Sequence, residues 1–283
     1  MDDDGFDISA YLARIGYSGG VEPTLPVLRA IVAAHSAVIP FENIDVLLKR
    51  PIPLDVRSLQ RKLVAGGRGG YCYEQNLLLL AALRAIGFTA VGLLARVVRA
   101  RPADAPTPAT HMLLRVTLPE GSYLADVGYG NLTPTAPYRL DPDIEQATLH
   151  ETIRLRLMGA EYLLQTRLGD SWDNVYRFST EPRVPMDFEV ANWFTSTHAG
   201  SPFVHNLVIA RPGAGRRTTL YNGRLSIRTV PGSPQRRDLL TLDDYRIALP
   251  EHFGLTMSDA DVTAVHALMA SRDEAARAHP YFS

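Results

Sequence analysis

The most constraining feature of the chain is a glycine-rich loop that runs directly into an apolar segment, GGRGGYCYEQNLLLL, at residues 66–80. Its four glycines permit close backbone approach and positive φ angles. The leucines that follow Asn76 cover more than one helical face, so the sequence predicts a helix buried on several sides. Cys72, the only cysteine in the chain, lies where the loop meets this helix.

The first ninety residues have the patterns of helices. Apolar residues recur at Ile8, Tyr11, Leu12 and Ile15, which is the spacing of one helical face. Glycines that stop helices follow two of the segments. The segments that predict helices are DISAYLARIGY, PTLPVLRAIVAAH, DVRSLQRKLVAGG and CYEQNLLLLAALRAIGF.

After Gly87 the pattern changes to short strands joined by turn residues. Their hairpin spacing favours an antiparallel sheet or a small barrel. The segments that predict strands are FTAVGLLARVVRA, HMLLRVTL, SYLADVGYG, HETIRLRLM, EYLLQTRL and WDNVYRFS.

The last third of the chain is mixed. The segment DFEVANWF predicts a short helix and FVHNLVIA a strand, and Asn222-Gly223 is a hairpin signal. Two further helices are predicted from TLDDYRIALPEHFG and from SDADVTAVHALMASRDEAARA, the second with a Ser-Asp cap.

Composition excludes several classes of function. A net charge of −1 gives no general attraction for nucleic acid or an anionic membrane. No apolar run has the length of a membrane span, and the acidic start MDDDGFDISAYLARIGY does not have the pattern of a signal peptide. One cysteine forms no internal disulfide and no multi-cysteine zinc site. We therefore expect a cytoplasmic protein without a metal.

A cysteine at a helix start is placed well for chemistry. The positive end of the helix dipole and the free N–H groups of the first turn favour a thiolate at Cys72. Such a nucleophile needs a base, and the base needs an orienting group.

Among eight histidines, His111 is the best candidate for that base. It begins a predicted strand, and the next strand carries Asp126. A two-residue loop at Pro119-Glu120 would place Asp126 opposite Leu113 and on the same face as His111, whereas a three-residue loop would separate them. We expect His35 to be a cap or surface residue, and His198 and His205 are candidates for the rim of the site.

Several motifs together closely resemble the bacterial type of the arylamine N-acetyltransferase family. They are RGGYCYEQN (68–76), IPFENIDV (39–46), the His111 strand and DVGYG (126–130). The similarity runs from SAYLARIGY near the start through STHAGSPF (196–203) to FGL (253–255), nearly the whole chain. Tyr129 stands where the family usually has phenylalanine, and Tyr71 where it has tyrosine or tryptophan.

The resemblance implies an α+β fold of three subdomains with a cysteine-protease-like Cys-His-Asp core. These are a helical bundle (1–88) that carries the nucleophile, an antiparallel β-barrel (89–200) that carries the histidine and aspartate, and an α/β lid (201–283). Cys72, His111 and Asp126 would form the catalytic triad. Acetyl-CoA would be the co-substrate, and an aromatic amine, hydrazine or N-hydroxyarylamine the acceptor. The protein would be a monomer or homodimer.

The resemblance also implies a wider set of contacts. Glu42 and Arg68 would form a structural buried ion pair, and the basic loop RPGAGRR (211–217) could attract the CoA phosphates. The acceptor would contact Phe41, Tyr71, Thr110, Tyr129 and Phe203. CoA would contact Thr107, Gly130, Phe194, Thr197 and Ser201.

Three alternatives stay open at this point. An amide synthase of the same fold would close a macrolactam from a carrier-bound acyl donor with the same triad. A papain-like hydrolase would also use cysteine and histidine, but the usual C-G-S-C-W neighbourhood is missing. A non-catalytic binding module would keep the fold and leave Cys72 slow to alkylate.

Overall fold

A computed structural model describes residues 5–230 and 232–271. Before residue 87 these residues are mainly helical. The elements of this part are α1 (Ile8–Ile15), α2 (Leu25–Val38), β1 (Phe41–Glu42), α3 (Ile44–Leu47), α4 (Val56–Leu59), a π-helical turn (Gln60–Ala65) and α5 (Cys72–Ile86).

Helix α5 is the central element of the helical part. It begins after Tyr71, whose backbone is extended, and ends at Gly87, whose φ of 102° is the left-handed conformation that glycine tolerates best. Nearly every residue from Cys72 to Leu83 is buried, because the helix packs against other helices on one side and a sheet on the other. The prediction of a helix buried on several sides is confirmed.

The described elements after residue 88 are the remaining strands of two antiparallel sheets and several helices. They are β2 (Thr89–Val97), β3 (Ala109–Leu118), β4 (Gly121–Ala125), β5 (Tyr138–Arg139), β6 (Gln146–Ala147), β7 (Thr152–Met158), β8 (Glu161–Leu168), β9 (Ser171–Phe178), α6 (Pro185–Thr197), α7 (Pro202–His205), β10 (Val208–Gly213), β11 (Arg216–Tyr221), β12 (Arg224–Thr229), β13 (Pro234–Asp238), α8 (Leu242–Phe253) and α9 (Asp259–Ala270).

The larger sheet, in residues 89–178, has the order β5-β4-β3-β2-β9-β8-β7-β6. Apolar side chains from strands along almost its whole width, from Tyr138 on β5 to Ile153 on β7, share a single core. One face of a sheet can do this only if the sheet curls on itself, so the larger sheet is a nearly closed barrel.

The length of the loop between β3 and β4 decides which residues of the two strands lie on the same face of the hairpin. Leu118 pairs with Gly121 and Leu114 with Ala125, which leaves the two-residue loop Pro119-Glu120. Continued by one step, this register places Asp126 opposite Leu113. The two-residue loop is therefore confirmed.

The smaller sheet has the order β1-β10-β11-β12-β13. Helices α8 and α9 cover it with a separate apolar core that includes Leu220, Tyr245 and Val265. Its edge strand β1 comes from the helical part, since Phe41 pairs with Ala210. The predicted α+β class, with helices, a barrel and an α/β part in chain order, is confirmed; the boundaries at residues 88 and 200 stay predictions.

The third predicted helix is confirmed from Val56 to Ala65 with its end at Gly66, and its residues Gln60–Ala65 are π-helical. One predicted strand boundary is wrong. The strand predicted for 203–210 begins only at Val208, because Pro202 starts the short helix α7. The last predicted helix is observed to Ala270, and its remainder lies outside the described residues.

A buried ionic cluster joins the two sheets. Arg217 on β11 donates from Nη2 to Oε2 of Glu151 at 2.5 Å, and Arg228 on β12 donates to Oε1 at 2.6 Å. Arg217 is only 3 % exposed and bound to Glu151, so this residue of the basic segment 211–217 is not free to attract the CoA phosphates. A further bond of Arg217, to the carbonyl of Thr133, ties the smaller sheet to the loop after β4.

We predict that Glu151→Gln lowers the free energy of unfolding by about 3–5 kcal/mol, because Arg217 then keeps a buried charge without a counterion. Urea titration would measure this. Glu145→Gln is the matched control, since the Glu145–Arg167 pair is exposed on both sides and should contribute less than about 1 kcal/mol. Equal effects of the two variants would contradict the account.

Candidate active site

Cys72 is the first residue of α5 and is 4 % exposed. Glu74 fixes the helix start, because its Oε2 accepts the backbone N–H of Tyr71 at 3.0 Å. The sulfur lies 3.8 Å from the carbonyl oxygen of Thr110, directly before His111 on β3. The helix start and this strand therefore meet at the thiol.

Gly128 allows the loop after β4 to reach α5. A Cβ at this position would lie 2.7 Å from Cα of Cys72 and 2.9 Å from Nδ2 of Asn76. Both distances are shorter than real Cβ contacts, so a side chain would push the loop away from the helix. The glycine is required here for close approach.

Asp126 is held at the base of the site by converging donors. Nε2 of His111 lies 2.7 Å from its Oδ2, and the hydroxyl of Tyr176 donates to the same oxygen at 3.0 Å. Oδ1 accepts from Nδ2 of Asn76 at 3.1 Å and from the backbone N–H of Gly128 at 2.9 Å. With no exposed surface, the carboxylate has these donors in place of water.

The charges of His111 and Asp126 stabilise each other. Burial lowers the pKa of His111, but the neighbouring carboxylate and a hydrogen bond to Cys72 outweigh it and raise the pKa to about 10. Burial raises the pKa of Asp126, but His111 and the hydrogen bonds outweigh it and hold that pKa below its ordinary value. The pair is therefore an imidazolium and a carboxylate at neutral pH.

Cys72 lies beside His111 in this site. Asp126 engages Nε2 of His111, and Cys72 is among the groups that raise the pKa of the imidazole. Tyr176 and Tyr129 enclose the ring, with centroids 4.9 Å and 5.1 Å from it. The chain thus places sulfur, imidazole and carboxylate next to one another.

An aromatic cluster lies beside the start of α5. The ring of Phe203 on α7 is 5.8 Å from that of Phe41 and 6.2 Å from that of Tyr71. Gly130, with a φ of 91°, packs against Phe41, since a Cβ there would lie 3.6 Å from the ring. The structure therefore brings Phe41, Tyr71, Phe203 and Gly130 together, and Tyr129 lies against His111.

Thr110 and Phe194 line a cavity of about 480 Å³ between the barrel and α6, together with Arg96, Arg177 and Arg183. Thr107 is buried nearby along the chain, and its carbonyl accepts a hydrogen bond from Arg96. The cavity combines an apolar wall with guanidinium groups.

Thr197 and Ser201 make local bonds. The hydroxyl of Thr197 donates to the carbonyl of Trp193, and that of Ser201 donates to the carbonyl of Thr195. Their hydroxyl hydrogens are engaged at the end of α6, so each oxygen could offer a ligand only an acceptor.

Glu42 and Arg68 form the predicted ion pair, with Nη2 of Arg68 2.7 Å from Oε1 of Glu42. The pair belongs to a larger network that sequence reasoning missed. Lys62 lies 2.6 Å from Asp45 and 2.7 Å from Glu74. Because Glu74 also fixes the helix start, these charges hold the cysteine loop.

The expectation for His35 is wrong. It is fully buried, with Nδ1 2.9 Å from the hydroxyl of Tyr11 and Nε2 3.0 Å from Oε1 of Gln75. Burial lowers its pKa to about 4, so it is neutral in the folded protein. The sequence does carry a signal for this burial, because His35 follows Leu28, Ile31 and Val32 at helical spacing and so lies on the inner face of α2.

The described residues show neither a metal-binding group nor a membrane-spanning helix. In residues 5–230 and 232–271, histidine, cysteine, aspartate and glutamate side chains form no group of three arranged to hold a metal ion. A helix long and apolar enough to cross a membrane is likewise not found in the described part of the chain.

The site places the sulfur of Cys72 beside a buried, hydrogen-bonded histidine–aspartate pair, a combination that thiol-based acyl transfer uses. The N-acetyltransferase family model matches residues 24–262. The arylamine N-acetyltransferase of Mycolicibacterium smegmatis is 40% identical over 275 residues, which are 96% of each chain.

Two other comparisons agree. The arylamine N-acetyltransferase / N-hydroxyarylamine O-acetyltransferase of Salmonella typhimurium is 36% identical, over 96% of this chain and 97% of that protein. The solved structure of Mycobacterium marinum arylamine N-acetyltransferase in complex with CoA superposes with a TM-score of 0.87 at 40% identity, covering 93% of this chain and 98% of that one. The chain belongs to the arylamine N-acetyltransferase family.

We predict that the imidazole of His111 keeps both protons until the pH approaches about 10. Nitrogen NMR of histidine-labelled protein would follow this. In Asp126→Asn the remaining burial should bring the pKa of His111 below its ordinary 6.5, because the opposing charge is lost. An unchanged titration in that variant would contradict the assignment.

The raised pKa of His111 determines how the free energy of unfolding changes with pH. The charged His111 contributes its full stabilisation below pH 6.5 and loses it as the pH rises through about 10. The difference in unfolding free energy between the wild type and His111→Gln should therefore shrink from pH 6 to pH 10, by a few kcal/mol in order of magnitude.

Proposed function

We propose that the protein transfers the acetyl group of acetyl-CoA to arylamines, arylhydrazines or N-hydroxyarylamines through an acetyl-cysteine at Cys72. The observation that carries the proposal is the buried hydrogen bond between His111 and Asp126, with Cys72 close enough to the imidazole to help raise its pKa. The names of the relatives support the acceptor class, and the relative solved with CoA supports the donor.

In the first half-reaction the sulfur attacks the thioester carbonyl. In this proposal His111 takes the thiol proton, and the attacking species is the thiolate. The negative oxygen that forms can accept the backbone N–H of Cys72, which lies in the first turn of α5 where N–H groups have no helical partner. The intermediate collapses, the C–S bond to CoA breaks, and the CoA thiolate leaves with the proton of the imidazolium.

In the second half-reaction the neutral His111 acts as a general base. It takes a proton from the acceptor nitrogen as that nitrogen attacks the acetyl-cysteine. The bond to Cys72 then breaks, and the thiolate–imidazolium pair forms again. Asp126 keeps the imidazole in one tautomer and stabilises its charge throughout.

The ligand contacts are part of the proposal. The acceptor ring would pack against Phe41, Tyr71, Phe203 and Tyr129, which lie beside the thiol and imidazole. CoA would approach along Thr107, Thr110, Gly130 and the end of α6. A single catalytic thiol also fits a reducing compartment, so we place the enzyme in the cytoplasm, as a monomer or homodimer acting on foreign aromatic amines.

We predict that acetyl-CoA alone releases one CoA per enzyme and that Cys72 gains the mass of one acetyl group. Further CoA should appear only when an arylamine such as anisidine is added, as a ping-pong mechanism requires. Cys72→Ala should give neither result. Failure of the wild type to take an acetyl group, with turnover of a carrier-bound acyl chain, would favour the macrolactam-forming synthase instead.

We further predict that Tyr176→Phe lowers kcat/KM by about 10- to 100-fold, since a hydrogen bond to a charged group contributes about 1.5–3 kcal/mol. Steady-state kinetics would measure this. Tyr138→Phe is the matched control, because the Tyr138 hydroxyl bonds to Tyr176 at 2.8 Å and not to Asp126. A larger loss in the Tyr138 variant would contradict this role of Tyr176.

A further inference from the structure

The segment between α6 and β10 carries Phe203 but has little structure of its own. Helix α7 has four residues, and none of them is buried. The ring of Phe203 nevertheless forms one side of the aromatic cluster at the start of α5. Asn206 makes a bond within the segment, from its Nδ2 to the carbonyl of Pro202 at 2.8 Å, and further bonds reach the segment from outside.

Asn43 supplies these bonds. Its Nδ2 donates to the carbonyl of Phe203 at 2.9 Å and to that of Asn206 at 2.7 Å. Its Oδ1 accepts the backbone N–H of Val208 at 2.7 Å. One side-chain amide, 2 % exposed, thus spans the segment from Phe203 to the start of β10.

Asn43 is itself held rigidly. It lies between β1, which pairs with β10, and α3. Oε2 of Glu42 accepts the backbone N–H of Ile44 at 2.7 Å, and Arg68 binds the other oxygen of the same carboxylate. The amide therefore connects the charged network under the cysteine loop to the segment with Phe203.

Asn222 holds the same segment from the opposite side. Its Oδ1 accepts the N–H of Leu207 at 3.0 Å, and its Nδ2 donates to Oδ1 of Asn206 at 2.8 Å. Asn222 lies in the β11–β12 hairpin at a φ of 46°. Two buried asparagines from separate parts of the fold thus fix the segment.

We propose that Asn43 is the positioning residue for Phe203 and thereby sets the width of the acceptor pocket. The inference rests on the proposed function, since it assigns Phe203 to the acceptor. Asn43 acts on the half-reaction with the amine and leaves transfer of the acetyl group to Cys72 unchanged.

Asn43→Asp tests this with a side chain of the same shape. It keeps the acceptor for Val208 but presents an oxygen to the carbonyls of Phe203 and Asn206, so the segment should move outward. The ratio of kcat/KM for a fused-ring amine such as 2-aminofluorene to that for anisidine should rise by about tenfold, mainly through KM. The burst of CoA from acetyl-CoA alone should stay within about twofold of the wild type.

A double-mutant cycle separates positioning from general damage. Phe203→Ala should shift the ratio in the same direction, and Asn43→Asp should add nothing to it in the double variant. Leu220→Val, in the core of the smaller sheet, is the control for lost stability and should leave the ratio unchanged. Asn43→Ser provides the same comparison if the aspartate variant does not fold.

Three results would overturn the inference. The first is a ratio that Asn43→Asp leaves within about twofold, and the second is an additive effect of the two substitutions in the cycle. The third is an equal loss in both half-reactions, which would assign Asn43 a merely structural role. Absence of a CoA burst from the wild type would instead contradict the proposed function, so the two failures are distinguishable.

Discussion

The site depends on one interaction, the buried hydrogen bond between Nε2 of His111 and Oδ2 of Asp126. A buried carboxylate is costly unless donors replace its hydration. Here Asn76, Gly128 and Tyr176 donate to Asp126 in addition to His111. With its charge satisfied in this way, Asp126 can hold the imidazole as a cation against the effect of burial.

The fold provides the geometry that this bond needs. The two-residue loop between β3 and β4 puts His111 and Asp126 on the same face of the hairpin. Gly128 then lets the following loop pack against Cys72 at the start of α5. Asn76, one turn into that helix, bonds both to Asp126 and to the carbonyl of Met112. The helix that begins with Cys72 and the hairpin that carries His111 and Asp126 are thus joined by the side chain of Asn76.

Sequence predicted the features that have local signals. The helix at Cys72 follows from glycines and leucines, and the pairing of His111 with Asp126 follows from strand period and loop length. The sequence pattern did not reveal the role of Tyr176, because this residue reaches Asp126 only where β9 pairs with β2 as the barrel curls. Such long-range pairing has no local pattern. For the same reason the buried contacts of His35 with residues of two other helices were not found.

The central claim is that the resting site holds a charged imidazole hydrogen-bonded to a buried carboxylate, beside the sulfur of Cys72. Neutron diffraction from crystals at neutral pH locates the protons of this pair directly. The account predicts hydrogen on both ring nitrogens of His111 and none on Asp126. A singly protonated imidazole would contradict it.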